Sequence, residues 1–419
     1  MQVLHPMKIF RFLVSPAMLI FPYIVPCAAP QDLPENKPEF LRALATAPAL
    51  NASLLRADAT KERSGSAGRL ADIEIEGMAS RMVGPMNERS TMWEMNVMQP
   101  LPRRGERSAD RDRAKADVSM ALADHAMLTG ELAAEVAAAI AEAEGALARV
   151  RLLEAQIERL NAVLRSVEAR IATGSGRLAD RLTVQVRLAS MSLMIEEERR
   201  NAADALSEVR GRLGWKAEAV LPAFAAPLSA DIASDEAAAS RLAAARGAEA
   251  QARVKMAHAS ANPMTSVGVR FEQERRSMGN DNTLGLALST DLPFRSRGYA
   301  RADARAAEAE RAAARVEADA VHHRIDAALR RVERAEKLAG IARRLSRETV
   351  NRLEAEYESV LRAASTGSGQ ASTILEVVEL LEKTTEAEIQ IIRADTAVRT
   401  ARAELWRYYP AADLVAQQP

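Results

Sequence analysis

Cysteine is almost missing from this chain of 419 residues: Cys27 stands alone, so neither a disulfide nor a thiolate metal cluster can hold the fold. Aromatics make up only 4%, too few for ordinary globular cores. Charge of one sign is missing too. Lys+Arg and Asp+Glu are 57 each, which excludes the basic footprint of a nucleic-acid binder and a strongly acidic surface. Past residue 30 no apolar run approaches the roughly 18–20 residues of a membrane helix, so any crossing of a bilayer falls to strands. A phosphate loop, a nucleophile–base pair and a ligand cluster with metal spacing are all missing. The chain therefore reads as a non-enzyme without a cofactor. His125, His258, His322 and His323 are scattered, and the adjacent pair His322 and His323 diverges by about 100° on a helix. They read as surface residues.

Residues 1–29 have the order of a secretory signal. Lys8 and Arg11 precede an apolar stretch from Phe12 to Val25, and Cys27-Ala28-Ala29 follows. Cleavage after Ala29 and lipid attachment at Cys27 are both open, with Pro26 a poor context for the second.

Beyond the leader, Ala, Arg, Glu and Leu dominate long stretches without proline, the profile of extended helices packed through small side chains. The chain is also duplicated. Thr173-Gly174-Ser175-Gly176 recurs as Thr366-Gly367-Ser368-Gly369, Leu101-Pro102 through Gly105 recurs loosely as Leu292-Pro293 through Gly298, and Arg212 to Trp215 answers to Glu404 to Arg407. Each copy opens with a helix; in the first, residues 37–66 carry a break at Asn51-Ala52. The period then changes to two. Ile73, Ile75 and Gly77 alternate with Asp72, Glu74 and Glu76, and Met92 to Met98 is strand-like. In the second copy Val267, Val269 and Phe271 alternate with polar or small residues; a polar turn at Gly279 to Asn282 leads into Leu284, Leu286 and Leu288. Such alternation suits a sheet between lipid and water. Met78, Met82, Met92, Met95 and Met98 fill the lipid or the barrel face better than they make a soft-metal relay. Trp93, Trp406, Tyr408 and Tyr409 read as interfacial or packing aromatics.

From Gly105 to Thr173 the period is helical, with Val136, Ile140, Leu153, Ile157, Leu160, Leu164, Val167 and Ile171 three or four apart for the most part. A helix of that length spans on the order of 100 Å, and no compact globule contains such a rod. The fold class is mainly α with a small β part: duplicated long antiparallel helical hairpins plus four strands. The divisions are a signal peptide at 1–29; a first repeat at 30–232, with a β-hairpin at 70–101, a helical hairpin at 105–214 and a linker at 215–232; a second repeat at 233–410, with a β-hairpin at 264–291 and a helical hairpin at 297–408; and a tail at 411–419.

Several of these sequences also carry a resemblance. Gln99-Pro100-Leu101-Pro102 with Gly105 and Arg107, Leu292-Pro293 through Gly298, Gly174 to Gln185 with Asp180 and Leu182, and Gly367 to Glu379 with Glu376 together resemble the outer membrane efflux protein family, the TolC-like outer membrane factors. The likeness covers essentially the whole chain after the leader. Departures are the missing proline near Ala71, where the second copy has Pro263, and Thr183 and Thr373 at places where the family often has acids. The resemblance implies a homotrimer forming a twelve-stranded β-barrel in outer-membrane lipid and an α-helical tunnel through the periplasm. A lone four-stranded sheet would expose two edges in lipid, and threefold closure removes them.

Gly174, Gly176, Gly367 and Gly369 are tight-turn glycines, and the resemblance makes them the docking tips for a periplasmic adaptor (membrane fusion protein). Asp180 and Glu376 read as acids favoured at helix N-termini or, repeated around a threefold axis, as rings at a periplasmic gate. Pro102, Gly105, Pro293 and Gly298 mark the helix starts below the barrel. The implied function is a passive exit duct of a tripartite efflux system, recruited by the adaptor and an inner-membrane pump; the Leu-Pro-rich helix entries and short strand turns look most like the branch for heavy-metal cations, with drugs or secreted protein as the alternative cargo. A periplasmic coiled-coil scaffold without a pore is the reading from another class.

Overall fold

The computed structural model describes residues 37–83, 89–276, 279–291, 296–365 and 373–415. Residues 1–36 with Cys27, and Pro293, Gly367 and Gly369, lie outside the described residues. The first helices are α1 (Lys37–Leu44) and α2 (Pro48–Ser64). The break expected at Asn51-Ala52 falls instead at residues 45–47, and Asn51 lies inside α2. Pro48 is the cause: it has no N–H to continue α1, yet its fixed φ suits the first turn of α2.

Four strands follow the two-residue period: β1 (Glu74–Val83), β2 (Arg89–Leu101), β3 (Met264–Arg276) and β4 (Gly279–Asp291). They form one antiparallel meander in chain order, in which β2 and β3 join the two repeats and β1 and β4 are the edges. The residues Gly279 to Asn282, expected as a polar turn, belong to β4 and pair with Arg276 to Gln273. Backbone ladders do not depend on side-chain polarity, so the hairpin continues past the point where apolar alternation stops.

The long helices are α3 (Glu106–Ala172), α4 (Leu178–Leu213), α5 (Ala238–Ser260), α6 (Ser296–Ser365) and α7 (Thr373–Ala403), closed by a 3-10 turn at Glu404–Tyr408 and α8 (Ala411–Val415). α3 has 67 residues and α6 has 70, each on the order of 100 Å long. Alanines do much of the packing: Ala133, Ala134, Ala137 and Ala141 are buried on α3, and small side chains let helix axes come close. Ion pairs record the antiparallel register. Arg181–Glu168 (3.5 Å), Arg199–Glu154 (2.6 Å), Arg149–Glu198 (2.8 Å) and Arg212–Glu135 climb α3 as they descend α4. Lys255–Asp112 (2.5 Å) then continues the ladder with α5, so α4 and α5 share the return path along α3. Arg343–Asp395 (2.6 Å) and Arg402–Glu336 (2.9 Å) pair α6 with α7 in the same sense.

Among the described residues the largest buried apolar cluster lies where the first repeat's helices meet the linker and the last described turns. Phe40, Leu44, Leu50, Val136, Ile140, Leu213, Trp406 and Leu414 form it. Trp406 is wholly buried, stacks on Phe40 at 5.5 Å, and donates through Nε1 to the Ala225 carbonyl at 3.0 Å. Its counterpart in the first repeat, Trp215, is only half-buried and donates to Thr46 Oγ1. His125, expected at the surface, is instead fully buried on α3 and bonded to Ser53 of α2. A polar neighbour on the packed helix makes an interior position tolerable for imidazole.

Candidate functional site

At the first tip, α3 ends at Ala172 and α4 begins at Leu178. Gly174 has φ +78°, a conformation that side chains with a Cβ adopt at a cost. Gly176 is required for a different reason: a Cβ there would stand 2.7 Å from the Ile171 nitrogen. The N–H groups of Ser175 and Gly176 both donate to the Arg170 carbonyl at 2.9 Å, capping α3. Turn geometry alone thus accounts for both glycines.

Asp180 and Glu376 each lie in the first turn of their helices, α4 and α7. Asp180 is half-buried and Glu376 is exposed. The two helix starts are brought to the same end: Val184 and Met191 of α4, Ile374, Val377, Val378 and Leu381 of α7, and Leu160, Val163 and Val167 of α3 form one buried cluster, with Tyr357 and Val360 of α6 against it. Arg187–Glu382 at 2.8 Å ties α4 to α7 on its flank. Higher on the same seam, Gln156 of α3 is buried, its Nε2 lies 3.4 Å from Glu388 of α7, and its Oε1 has no hydrogen-bond partner among the described residues. Burial pushes the Glu388 carboxyl above its ordinary range, Arg159 opposes this, and Glu354 reinforces it.

At the other end Gly105, with φ +88°, turns the chain from β2 into α3 just after Pro102. Arg107 Nε donates to the Gly68 carbonyl at 2.7 Å, and the Gly68 N–H donates to Asp110 at 2.6 Å. Across the seam, Arg103 reaches the Ser260 carbonyl at 3.2 Å and Asn262 reaches the Arg104 carbonyl at 3.0 Å. The start of α3 is therefore bolted to the segment before β1 and to the segment before β3. Gly68 has a φ of +67°, which only the structure shows; the signal in the sequence is a glycine a few residues past the end of α2. Gly298 is exposed in the first turn of α6 with open space around it.

The strand register sorts side chains into two unlike faces. One face carries the cross-strand rows Ile75–Val97–Val269–Leu286 and Gly77–Met95–Phe271–Leu284, flanked by Gln99–Val267–Leu288 on one side and Ala79–Trp93–Gln273–Asn282 on the other. These apolar residues are open: Leu286 is 93% exposed and Leu284 is 74% exposed. The opposite face carries Glu74, Glu76, Glu94, Glu272, Glu274 and Asp281, with Arg270 held 2.9 Å from Glu94. Met95 falls on the apolar face, and Met78, Met92 and Met98 fall on the polar one. Among the described residues no helix is long and apolar enough to cross a membrane, and no cluster of His, Cys, Asp and Glu is placed to hold a metal ion.

Comparisons with known proteins agree with this geometry. The family model for outer membrane efflux proteins matches residues 41–214. A search of curated protein sequences finds no match. Among solved structures, a membrane protein from Pseudomonas aeruginosa superposes with a TM-score of 0.70 at 18% identity, covering 89% of this chain and 90% of that one. The outer membrane protein VceC from Vibrio cholerae gives 0.69 at 15% identity over 88% and 95% of the two chains. The open state of the MtrE outer membrane channel from Neisseria gonorrhoeae gives 0.68 at 16% identity over 89% and 88%. The chain is thus similar to the outer membrane efflux proteins in sequence over its first repeat, and it shares the fold of these solved membrane-protein structures over both repeats.

Proposed function

We propose that the chain is one protomer of a homotrimeric outer-membrane exit duct, the passive outlet of a tripartite efflux system that a periplasmic adaptor and an inner-membrane pump recruit. The observation that carries this reading is the sheet. Among the described residues nothing covers its exposed apolar face, and nothing pairs with its edges, β1 and β4. A hydrocarbon surround suits the first property, and three copies closing a twelve-stranded ring suit the second. The polar face then lines a water-filled bore, and the long helices reach into the periplasm as a tunnel.

In this reading the turns at Gly174 and Gly176, with Gly367 and Gly369 of the second repeat, form the adaptor-docking mouth. Asp180 and Glu376 are its gate acids, and Pro102, Gly105, Pro293 and Gly298 set the joint between barrel and tunnel. Heavy-metal cations are the cargo we favour. The support is the excess of carboxylates on the polar face, each repeated three times around a threefold bore, which favours cations.

Fractionation tests the reading. A heat-modifiable trimer in the outer membrane is the expected result. A wholly soluble species would exclude the duct and leave a periplasmic scaffold.

A further inference from the structure

The apolar sheet face ends in an unusual row. Beyond Ala79–Trp93–Gln273–Asn282, the next cross-strand row on that face is Arg81–Thr91–Arg275–Asn280. Arg81 and Arg275 are exposed, and among the described residues neither makes an ion pair; Arg275 Nε only approaches Asn280 Oδ1 at 3.4 Å. They flank Thr91 with one strand between them, about 10 Å apart at ordinary strand spacing. All the carboxylates of the sheet that pair in these rows lie on the opposite face, so nothing acidic shares theirs.

Position along the strand explains why guanidinium groups are tolerated on a face otherwise fit for lipid. Ten residues of β2 separate Thr91 from Leu101, whose row holds Thr265 and Thr290. That is about 34 Å along the strand, or about 26 Å along the normal at a tilt of ~40°, close to the height of a barrel's apolar band. Trp93, 58% exposed, stands one row nearer the middle, at the depth where indole rings collect. The arginine row therefore falls at the headgroup level on the hairpin-turn side, the side away from the helices.

We propose that Arg81 and Arg275 form a phosphate-binding clamp for anionic lipid of the outer leaflet, repeated on each protomer of the barrel. The inference rests on the duct reading above. The recognised chemistry is a lipid phosphate whose acyl chains lie along the rows of Leu284, Leu286, Phe271 and Val269, because only an amphiphile uses the charged row and the apolar face together. Guanidinium groups bind phosphate oxygens in a forked geometry that ammonium groups do not match. Thr91 adds a hydroxyl between them.

The test uses the full-length trimer purified in a neutral detergent, with lipopolysaccharide, its dephosphorylated form and inorganic phosphate as separate probes. Lipopolysaccharide is expected to raise the temperature at which the trimer dissociates, with the dephosphorylated lipid and free phosphate having little effect. From roughly fivefold per arginine near a charged surface, the Arg81→Gln/Arg275→Gln double variant should bind the phosphorylated lipid about thirtyfold more weakly. The Arg81→Lys/Arg275→Lys variant, which keeps the charge and loses the fork, should bind more weakly than the unaltered protein and more tightly than the glutamine variant. Equal shifts from the phosphorylated and dephosphorylated lipid on the unaltered protein would overturn the clamp, and that arm stands even if a variant fails to assemble. A trimer that forms normally in the outer membrane but binds both lipids alike refutes the clamp alone; a chain that never forms the trimer refutes the duct.

Discussion

Gly130 lies directly beneath the backbone of Trp406: a Cβ on the glycine would stand 2.6 Å from the tryptophan carbonyl oxygen and 3.3 Å from the Cα of Arg407. The contact lets α3 pass under the last turn of the chain, whose indole is locked by Phe40 and Ala225. Glycine in mid-helix costs up to about 1 kcal/mol against alanine, so alanine should normally stabilise. Here the clash is with backbone, which cannot swing aside. Gly130→Ala should therefore destabilise by about 1–3 kcal/mol. Gly340→Ala, where a Cβ would meet nothing within 4 Å among the described residues, should stabilise slightly. Thermal unfolding of both variants checks the opposite signs.

Glu388 supplies a pH dependence. Burial beside Gln156 raises its folded pKa above the unfolded value, so the fold favours the protonated form. That contribution is complete below the unfolded carboxylate pKa of about 4.3 and is lost as pH rises through the raised folded value. The protonated carboxyl can also donate to Gln156 Oε1, which has no partner among the described residues. Glu388→Gln should be more stable than the parent at neutral pH, and the gap should close on acidification. Melting temperatures of the two proteins across that range check it; a gap independent of pH would contradict it.

The tip glycines separate turn chemistry from docking. Gly174→Ala should cost about 1–2 kcal/mol through its positive φ without altering adaptor capture at low temperature. Bulky residues at both Gly174 and Gly367 should abolish adaptor cross-linking and efflux. Unchanged cross-linking would leave the glycines as turn residues only.

Asp180→Asn and Glu376→Gln address the gate. If these acids ring the mouth, single-channel recordings should show reduced cation selectivity with an unchanged trimer. Unaltered conductance and selectivity would leave them as helix-terminus charges.

Much of this architecture was legible in one sequence because it is local. The 67 residues of α3 repeat the same periodicity turn after turn, and duplication writes the pattern twice. Errors arose where a neighbour distant in sequence decides. His125 reads as a surface residue on its own helix and becomes interior only because Ser53 of α2 packs over it. Gly279 to Asn282 read as a turn by composition, but Arg276 to Gln273 hold them in a ladder. The seam of Gln156 and Glu388 joins residues 232 positions apart, which no motif announces.

The sequence by itself determined the helices, their lengths and the alternation of each strand, because these follow from spacing along one segment. Tertiary structure alone decided how β1 to β4 align, and with that alignment the apolar face, the acidic face and the arginine row. Register is a relation between strands: a shift of one residue in any of them would turn its side chains to the other face and leave the same sequence without a continuous apolar face.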